Sequence, residues 1–254
     1  MIILKGVSKD YGEGKVLDTI SLRIDPGEFV CITGPSGAGK TTLLSLFVGA
    51  EDATSGTITV DDVDLRTVPA GGLQIFRRRV GVVFQDYKLL ANRTVAENVS
   101  FPLEVCGATD EEIEKRVPEL LRRLELTGRA HALPRELSGG EKARTAIARA
   151  IAHKPIILLA DEPTQNLDPE QAKDVLQTFR DINAAGTTVI IATHDKALVD
   201  LLHTRVIELQ KGRIARDSVG GYRTVPATQA IKTTPEDAAQ QMRRKVKVTA
   251  IHSE

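Results

Sequence analysis

The run FVCITGPSGAGKTTLLSLFVG, Phe29 to Gly49, decides the fold. Phe29 to Thr33 is apolar and reads as a strand; Lys40 to Gly49 changes period and reads as a helix. Between them, Gly34-Pro-Ser-Gly-Ala-Gly-Lys40-Thr41 fits G-x-x-x-x-G-K-[ST] in full. Glycines let backbone N–H groups turn inward around a phosphate, and the helix adds the positive end of its dipole. The candidate nucleotide-binding residues are therefore Gly34, Pro35, Ser36, Gly37, Ala38, Gly39, Lys40, Thr41 and Thr42. Lys40 would contact the β- and γ-phosphates, and the Thr41 hydroxyl would sit on Mg²⁺. The plain alternative is a glycine-rich turn that happens to precede Lys-Thr, and the flanking strand and helix argue against it.

Around this run, Ile2 to Val7, Thr19 to Ile24, Glu28 to Thr33 and Gly56 to Val60 read as strands by alternation and β-branched content. From about Asp86 to Pro155 the pattern turns mainly helical, with capping-box spacings at Thr94 to Glu97 and Thr109 to Glu112. Two apolar runs follow, Ile156 to Ala160 and Thr187 to Thr193, separated by a helical stretch from Glu170 to Ala184. Strand, helix and strand again, with both strands continuously apolar, predicts a parallel sheet buried on both faces. The helical block then reads as an insertion between the phosphate loop and this second βαβ unit. There is no internal repeat.

Candidate chemistry gathers at strand ends. Asp161 and Glu162 close the first apolar run, where residues of an open α/β sheet face the ligand crevice. Asp161 would hold Mg²⁺, directly or through water, and Glu162 would orient or deprotonate an attacking water. The alternative, solvated acids at a strand end, weakens beside a complete phosphate loop. His194 closes the next run and is expected at the same edge, as a γ-phosphate contact or a partner to Glu162. Gln85, after Val80 to Phe84, could bridge Mg²⁺ or water through its amide. Leu137-Ser-Gly-Gly-Glu141 combines a capping box, Ser138 with Glu141, with two glycines in the first turn of a helix running to Ala152. Each glycine costs up to about 1 kcal/mol there, so something must approach Gly139 and Gly140 closely. An anion at the helix N-terminus fits, and because the chain already has its own phosphate loop, that anion is expected to belong to another subunit's nucleotide.

The chain has 254 residues, with 34 Lys and Arg against 34 Asp and Glu. At 41% apolar and 27% charged it has the composition of a globular protein, which excludes a disordered or fibrous chain. Zero net charge argues against a nucleic-acid partner. Cys31 and Cys106 alone make neither a disulfide framework nor a metal site. No run approaches the ~18 apolar residues of a membrane span, and the opening MIILKGVSKDYGEGK lacks the charged and apolar regions of a signal peptide. The reading is cytoplasmic. The segment 218–254 is basic and poor in large apolar residues; Pro235 to Lys245 could form a short helix, and Val246, Val248 and Ile251 a weak strand. It reads as a solvated appendage or, more sharply, as a basic patch for an anionic membrane surface.

The phosphate loop, Gln85, Leu137 to Glu141, Asp161-Glu162, Asn166-Leu-Asp168 and His194 occur in the order and spacing of an ABC-type ATPase, and the resemblance spans about residues 1–217. It implies an α/β P-loop NTPase fold: a RecA-like parallel-sheet core, an antiparallel β subdomain and an inserted α-helical subdomain at about 86–155. It implies ATP and Mg²⁺ as cofactors, with Thr41, Gln85 and Asp161 at the metal and Glu162, His194 and Gln85 in catalysis. It also implies a head-to-tail homodimer holding two ATP molecules, each faced by Ser138, Gly139 and Gly140 of the opposite subunit. Tyr11 would lie against adenine, although a surface tyrosine in a turn is the alternative. Asp168 would communicate across the dimer.

Within the family, Val82 to Leu90, Leu159 to Thr164, Ala192 to Asp195 and Arg205 to Leu209 are most similar to the cell-division branch. That likeness implies an integral membrane partner of FtsX type, a peripheral location on the inner face of the cell membrane, and control of cell-wall hydrolysis. Tyr87, Lys88, Leu89 and Leu90 would line the groove for the partner's coupling helix, with core packing the alternative for the leucines. Lipoprotein-release and macrolide-export ATPases share much of the pattern and are the alternative. A DNA-repair ATPase is disfavoured because no sustained heptads separate Lys40 from Ser138, a translation factor because only one module is present, and an inactive scaffold because Lys40, Asp161 and Glu162 are intact. Two departures, Lys142-Ala143 in place of Gln-Gln and Gln165 in place of Gly, fall near the expected dimer interface.

Overall fold

Strand β1 (Ile2–Asp10) pairs antiparallel with β2 (Lys15–Ile24) on one edge and with β4 (Ser55–Val60) on the other, and β5 (Val63–Asp64) closes this four-stranded sheet. Period-two burial explains the pairing: β1 buries Ile2, Leu4 and Val7 while β2 buries Leu17, Ile20, Leu22 and Ile24. The second sheet contains β3 (Phe29–Thr33), β6 (Val80–Val83), β7 (Ile157–Asp161), β8 (Thr188–Thr193), β9 (Arg205–Gln210) and β10 (Arg213–Val219). Its order is β10-β9-β3-β8-β7-β6, parallel throughout except for β10, which pairs antiparallel with β9. The computed structural model describes residues 1–220.

The parallel strands are buried on both faces, as their unbroken apolar runs predict. Alternation divides them between two cores. Val30, Ile32, Leu159, Ile190 and Ile207 point to the core that β1, β2 and β4 share with α1 (Lys40–Phe47), where Leu43, Leu46 and Phe47 are sealed. Cys31, Leu158, Ala160, Val189 and Ile191 point to the opposite core, filled by α3 (Val95–Cys106), α4 (Asp110–Arg123), α5 (Gly139–Ile151) and α6 (Pro169–Ala184).

All three capping boxes form: Thr94 with Glu97 on α3, Thr109 with Glu112 on α4 and Ser138 with Glu141 on α5. The helical block is not helical from its start, because residues 86–94 form an irregular segment before α3. Helix α2 (Ala70–Arg77) gives little sequence signal because Gly71 and Gly72 sit in its first turn; it packs the buried Phe76 into the first core. Helix α7 (Lys196–Leu202), capped by Asp195, links β8 to β9. Strand β10 continues through Val219, two residues into the segment read as a tail, because Ser218 and Val219 still pair with Val206 and Arg205. The suggested helix at Pro235 to Lys245 and strand at Val246 to Ile251 lie outside the described residues. Among the described residues, no helix is long and apolar enough to cross a membrane.

Candidate functional site

The sheet order determines the site. Strand β8 lies between β3 and β7, with Thr33 opposite Thr193 and Asp161 opposite Ala192. The segments leaving β3, β7 and β8 therefore emerge side by side at one carboxyl edge, and β6 delivers Gln85 beside them. A cleft of about 570 Å³ opens there, lined by Val16, Ser36, Gly37, Gly39, Lys40, Thr41, Thr42, Gln85, Asp161, Glu162, Gln165 and His194. Ten of these twelve are residues the sequence marks for nucleotide, metal or catalysis; the other two are Gln165, a departure from the family pattern, and Val16. Val16 in particular carries no chemical signal; it reaches the cleft because β2 passes beside the loop.

Two glycines are required by space as well as by conformation. At Gly34, φ is +147° and a β-carbon would lie 2.3 Å from the Leu209 carbonyl oxygen. At Gly39, φ is +98° and a β-carbon would lie 2.9 Å from the Val16 carbonyl oxygen. Gly39 is also the N-cap of α1, and no side chain caps that end, in contrast to α3, α4 and α5. The N-terminal N–H groups of α1 are thus left without a side-chain acceptor, which suits an anion. Lys40, 8% exposed, donates from Nζ to the Gly34 carbonyl at 2.9 Å and the Pro35 carbonyl at 3.2 Å. It therefore folds back over the loop it would share with a phosphate. Ala38 is buried, packing the loop onto the first core.

On the opposite wall the Thr41 hydroxyl donates to Asp161 Oδ2 at 2.7 Å, and Asp161 Oδ1 is buried with no hydrogen-bond partner. A buried carboxylate oxygen without a partner is costly, and Mg²⁺ prefers hard oxygen ligands drawn from one or two side chains and a substrate phosphate. Thr41 and Asp161 fit that ion, and among the described residues no group of three or more His, Cys, Asp or Glu side chains offers another metal cage. Burial pushes the Asp161 carboxyl above its ordinary value near 3.8; the Thr41 hydrogen bond opposes the shift and the Glu162 charge adds to it.

A raised value means the folded chain holds this proton more tightly than the unfolded chain, so stability falls as pH rises through that value. Above that value the ionised carboxylate subtracts from the stability of the nucleotide-free chain. Asp161→Asn, which keeps an acceptor for Thr41, is expected to gain about 1 kcal/mol and raise the melting midpoint by a few degrees. The same variant should weaken Mg²⁺-dependent nucleotide binding. A melt at pH 7 showing a loss instead would contradict the burial argument.

Glu162, 8% exposed, is the most heavily tied side chain in the cleft. Its Oε1 lies 2.8 Å from His194 Nδ1 and 3.8 Å from Lys40 Nζ, and its Oε2 accepts from the Thr193 hydroxyl at 3.0 Å. Its φ of 45° falls in the left-handed region, a strain of about 1 kcal/mol or more for a residue with a β-carbon. The backbone N–H of Glu162 donates to the Ala192 carbonyl at 2.8 Å, which holds the turn as the chain leaves β7. Of the two roles weighed for His194, contact with Glu162 is the one its geometry displays. The carboxylate and imidazole form a pair able to orient a water and accept its proton.

Gln85 donates from Nε2 to Gln165 Oε1 at 2.6 Å. The segment that follows divides between two environments. Lys88 and Leu90 line an apolar groove of about 550 Å³, with Phe84, Phe101 and Val105 among its walls, whereas Tyr87 and Leu89 pack against the helical core. Tyr87 Oη donates to the Pro163 carbonyl at 3.3 Å, and Arg149 of α5 donates to the Tyr87 and Lys88 carbonyls at 2.7 Å each. Positive φ at Tyr87 (59°) and Lys88 (43°) makes the turn that sends neighbouring side chains in opposite directions.

Five marked residues outside the phosphate loop do not line the cleft. Ser138, Gly139 and Gly140 form the N-terminus of α5, where Ser138 N donates to Glu141 Oε2 at 2.8 Å. Backbone bonding to Ser138 and the Arg129 contact lower the Glu141 carboxyl to about 2, so this cap persists at neutral pH and is lost only as pH falls from 4.5 toward that value. Asp168 caps α6, accepting from the Glu170 and Gln171 N–H groups at 3.0 and 2.9 Å. Tyr11 is 52% exposed, with Lys9 Nζ 4.6 Å from its ring centroid.

Comparison with known proteins bears on the family rather than on single residues. Residues 17–165 match the family model described as ABC transporter. The chain is 46% identical over 223 residues to the cell division ATP-binding protein FtsE of Mycobacterium tuberculosis, covering 87% of this chain and 97% of that protein. It is 45% identical over 218 residues to the glutamine transport ATP-binding protein GlnQ of Escherichia coli, covering 85% and 90%. Among solved structures, it is similar to a dimeric ATP-binding cassette, MJ0796, in a post-hydrolysis state bound to ADP and phosphate, with a TM-score of 0.79, 36% identity, and 86% and 98% coverage.

Proposed function

The chain belongs to the ABC transporter family and is an ATP-hydrolysing cassette, and from that premise we propose that it dimerises head to tail around two ATP molecules and drives an FtsX-type membrane partner in cell division. The observation that carries the dimer is the division of the marked residues. Lys40, Thr41, Gln85, Asp161, Glu162 and His194 line one cleft, while the glycine-bearing N-terminus of α5 lies apart from it. A second copy in the opposite orientation would bring its Ser138, Gly139 and Gly140 to the open side of each cleft.

In each site the loop from Gly34 to Thr42 binds the phosphates and Lys40 neutralises their charge. Thr41 and Asp161 would hold Mg²⁺, and Gln85 could add its amide oxygen; when bound, the ion would supply charge stabilisation at the transferring phosphoryl group. Glu162 orients the attacking water and accepts its proton, while His194 and Thr193 fix the carboxylate. Tyr11 stacks on adenine with its exposed face, and Asp168, at the N-terminus of α6, communicates between the two sites. The unit comprises the cassette at 1–217 with its helical subdomain at about 86–155, followed by a basic tail.

The groove walled by Phe84, Lys88, Leu90, Phe101 and Val105 accepts an amphipathic segment of the membrane partner, which holds the chain at the inner face of the membrane. The FtsE relatives favour a cell-division partner, while the transport relatives support a second reading as the ATPase of a transporter. Purification from detergent-solubilised membranes separates the two. Recovery of an FtsX-type protein is expected; recovery of only a substrate-translocating permease would replace the first reading with the second.

A further inference from the structure

Of the two departures from the family pattern named above, Gln165 is the one whose side chain touches a marked cleft residue. Its Oε1 accepts the hydrogen bond from Gln85 Nε2 at 2.6 Å, and both side chains line the cleft that holds Lys40, Asp161 and Glu162. A glycine here could make no such bond. A primary amide has two distinct ends, a carbonyl that accepts or ligates and a nitrogen that only donates. A bond that occupies the nitrogen of Gln85 fixes which end faces Gln165 and leaves the carbonyl oxygen available to a cation or water. A second tie, from the Tyr87 hydroxyl to the Pro163 carbonyl, joins the same two segments. Residues 85–87 are thus bound to residues 163–165, the turn immediately after the two carboxylates.

We propose that Gln165 is a positioning residue that orients the Gln85 amide for Mg²⁺, a function carried by this chain's own side chain and resting on the reading of Gln85 as a metal ligand. Gln85 is exposed, and an exposed glutamine otherwise distributes its amide among several orientations, only some of which present oxygen. Holding one orientation concentrates the ligating population by about fivefold, the effect expected of one ordinary hydrogen bond.

The test is a double-mutant cycle read by binding rather than turnover. In the full chain carrying Glu162→Gln, the Mg²⁺ concentration for half-maximal binding of a fluorescent ATP analogue is measured for the parent, Gln165→Met, Gln85→Ala and the double variant. Methionine keeps the length of Gln165 and removes the acceptor. Gln165→Met should raise the Mg²⁺ midpoint about fivefold, Gln85→Ala at least as much, and the double variant no more than Gln85→Ala alone. In parallel, the side-chain amide signal of Gln85 in ¹⁵N–¹H spectra should move on Gln165→Met, with thermal midpoints unchanged. An unshifted Mg²⁺ midpoint for Gln165→Met, or a shift that persists undiminished without Gln85, overturns the proposal. No effect of Gln85→Ala itself removes the ligand reading on which it stands, an outcome distinct from the first two.

Discussion

Glu162→Gln is expected to cut ATP turnover by roughly two to four orders of magnitude while leaving ATP binding intact. The substituted amide has the shape of the carboxylate and can still accept a hydrogen bond from Thr193, which lies 3.0 Å away. It cannot take a proton from water. In the proposed mechanism His194, whose Nδ1 lies 2.8 Å from the Glu162 carboxylate, positions that group and does not replace its function. Nucleotide that binds without being cleaved should then accumulate in a closed dimer. Phosphate release measures the first effect and size-exclusion chromatography with ATP the second. Turnover within a few-fold of the parent would remove Glu162 from the general-base role, whatever the oligomeric state.

The second large effect concerns the sharing of sites. Lys40→Ala deletes the cation that lies over the loop, bonded to the Gly34 and Pro35 carbonyls. Ser138→Arg fills the N-terminus of α5 with a long side chain. Each variant alone should bind ATP poorly in the closed state, by about a hundredfold or more, because every site of either homodimer lacks one half of its contacts. Mixed dimers are different. One of their two sites takes its loop from the Ser138→Arg subunit and its α5 end from the Lys40→Ala subunit, and both of those halves are intact. In a Glu162→Gln background, isolated mixed dimers should therefore retain one ATP per dimer. Measuring retained nucleotide avoids any dependence of one site's turnover on the other. Mixed dimers that retain none would refute the head-to-tail arrangement.

Local chemistry was the most legible part of this chain. The phosphate loop, the three capping boxes and the carboxylates at the end of β7 all depend on residues within a few positions of each other, so spacing alone exposes them. Helix α2 leaves little trace in the sequence because Gly71 and Gly72 weaken its own signal, and it packs Phe76 into a core assembled elsewhere. By sequence alone the segment after Gln85 reads as one surface. Tertiary contacts divide it instead, drawing Tyr87 and Leu89 to the core and leaving Lys88 and Leu90 at the groove. Arg149, which holds the carbonyls of that turn, carries no signal at all in the sequence, because an arginine late in a helix is ordinary until its partners are known.

The amino-acid order alone picked out the candidate chemical parts of this protein: a glycine-rich loop ahead of a helix, a hydroxyl and a carboxylate suited to a hard cation, a second carboxylate proposed as the base, and a glycine-bearing helix start on α5. Those assignments need only residue type, short spacing and the preferences of a strand or helix. Only the tertiary structure decided that β8 runs between β3 and β7, which brings His194 to Glu162, and that Gln165 reaches Gln85 across the cleft. Such contacts join residues far apart in the chain, and their geometry follows from the burial of two cores against one sheet.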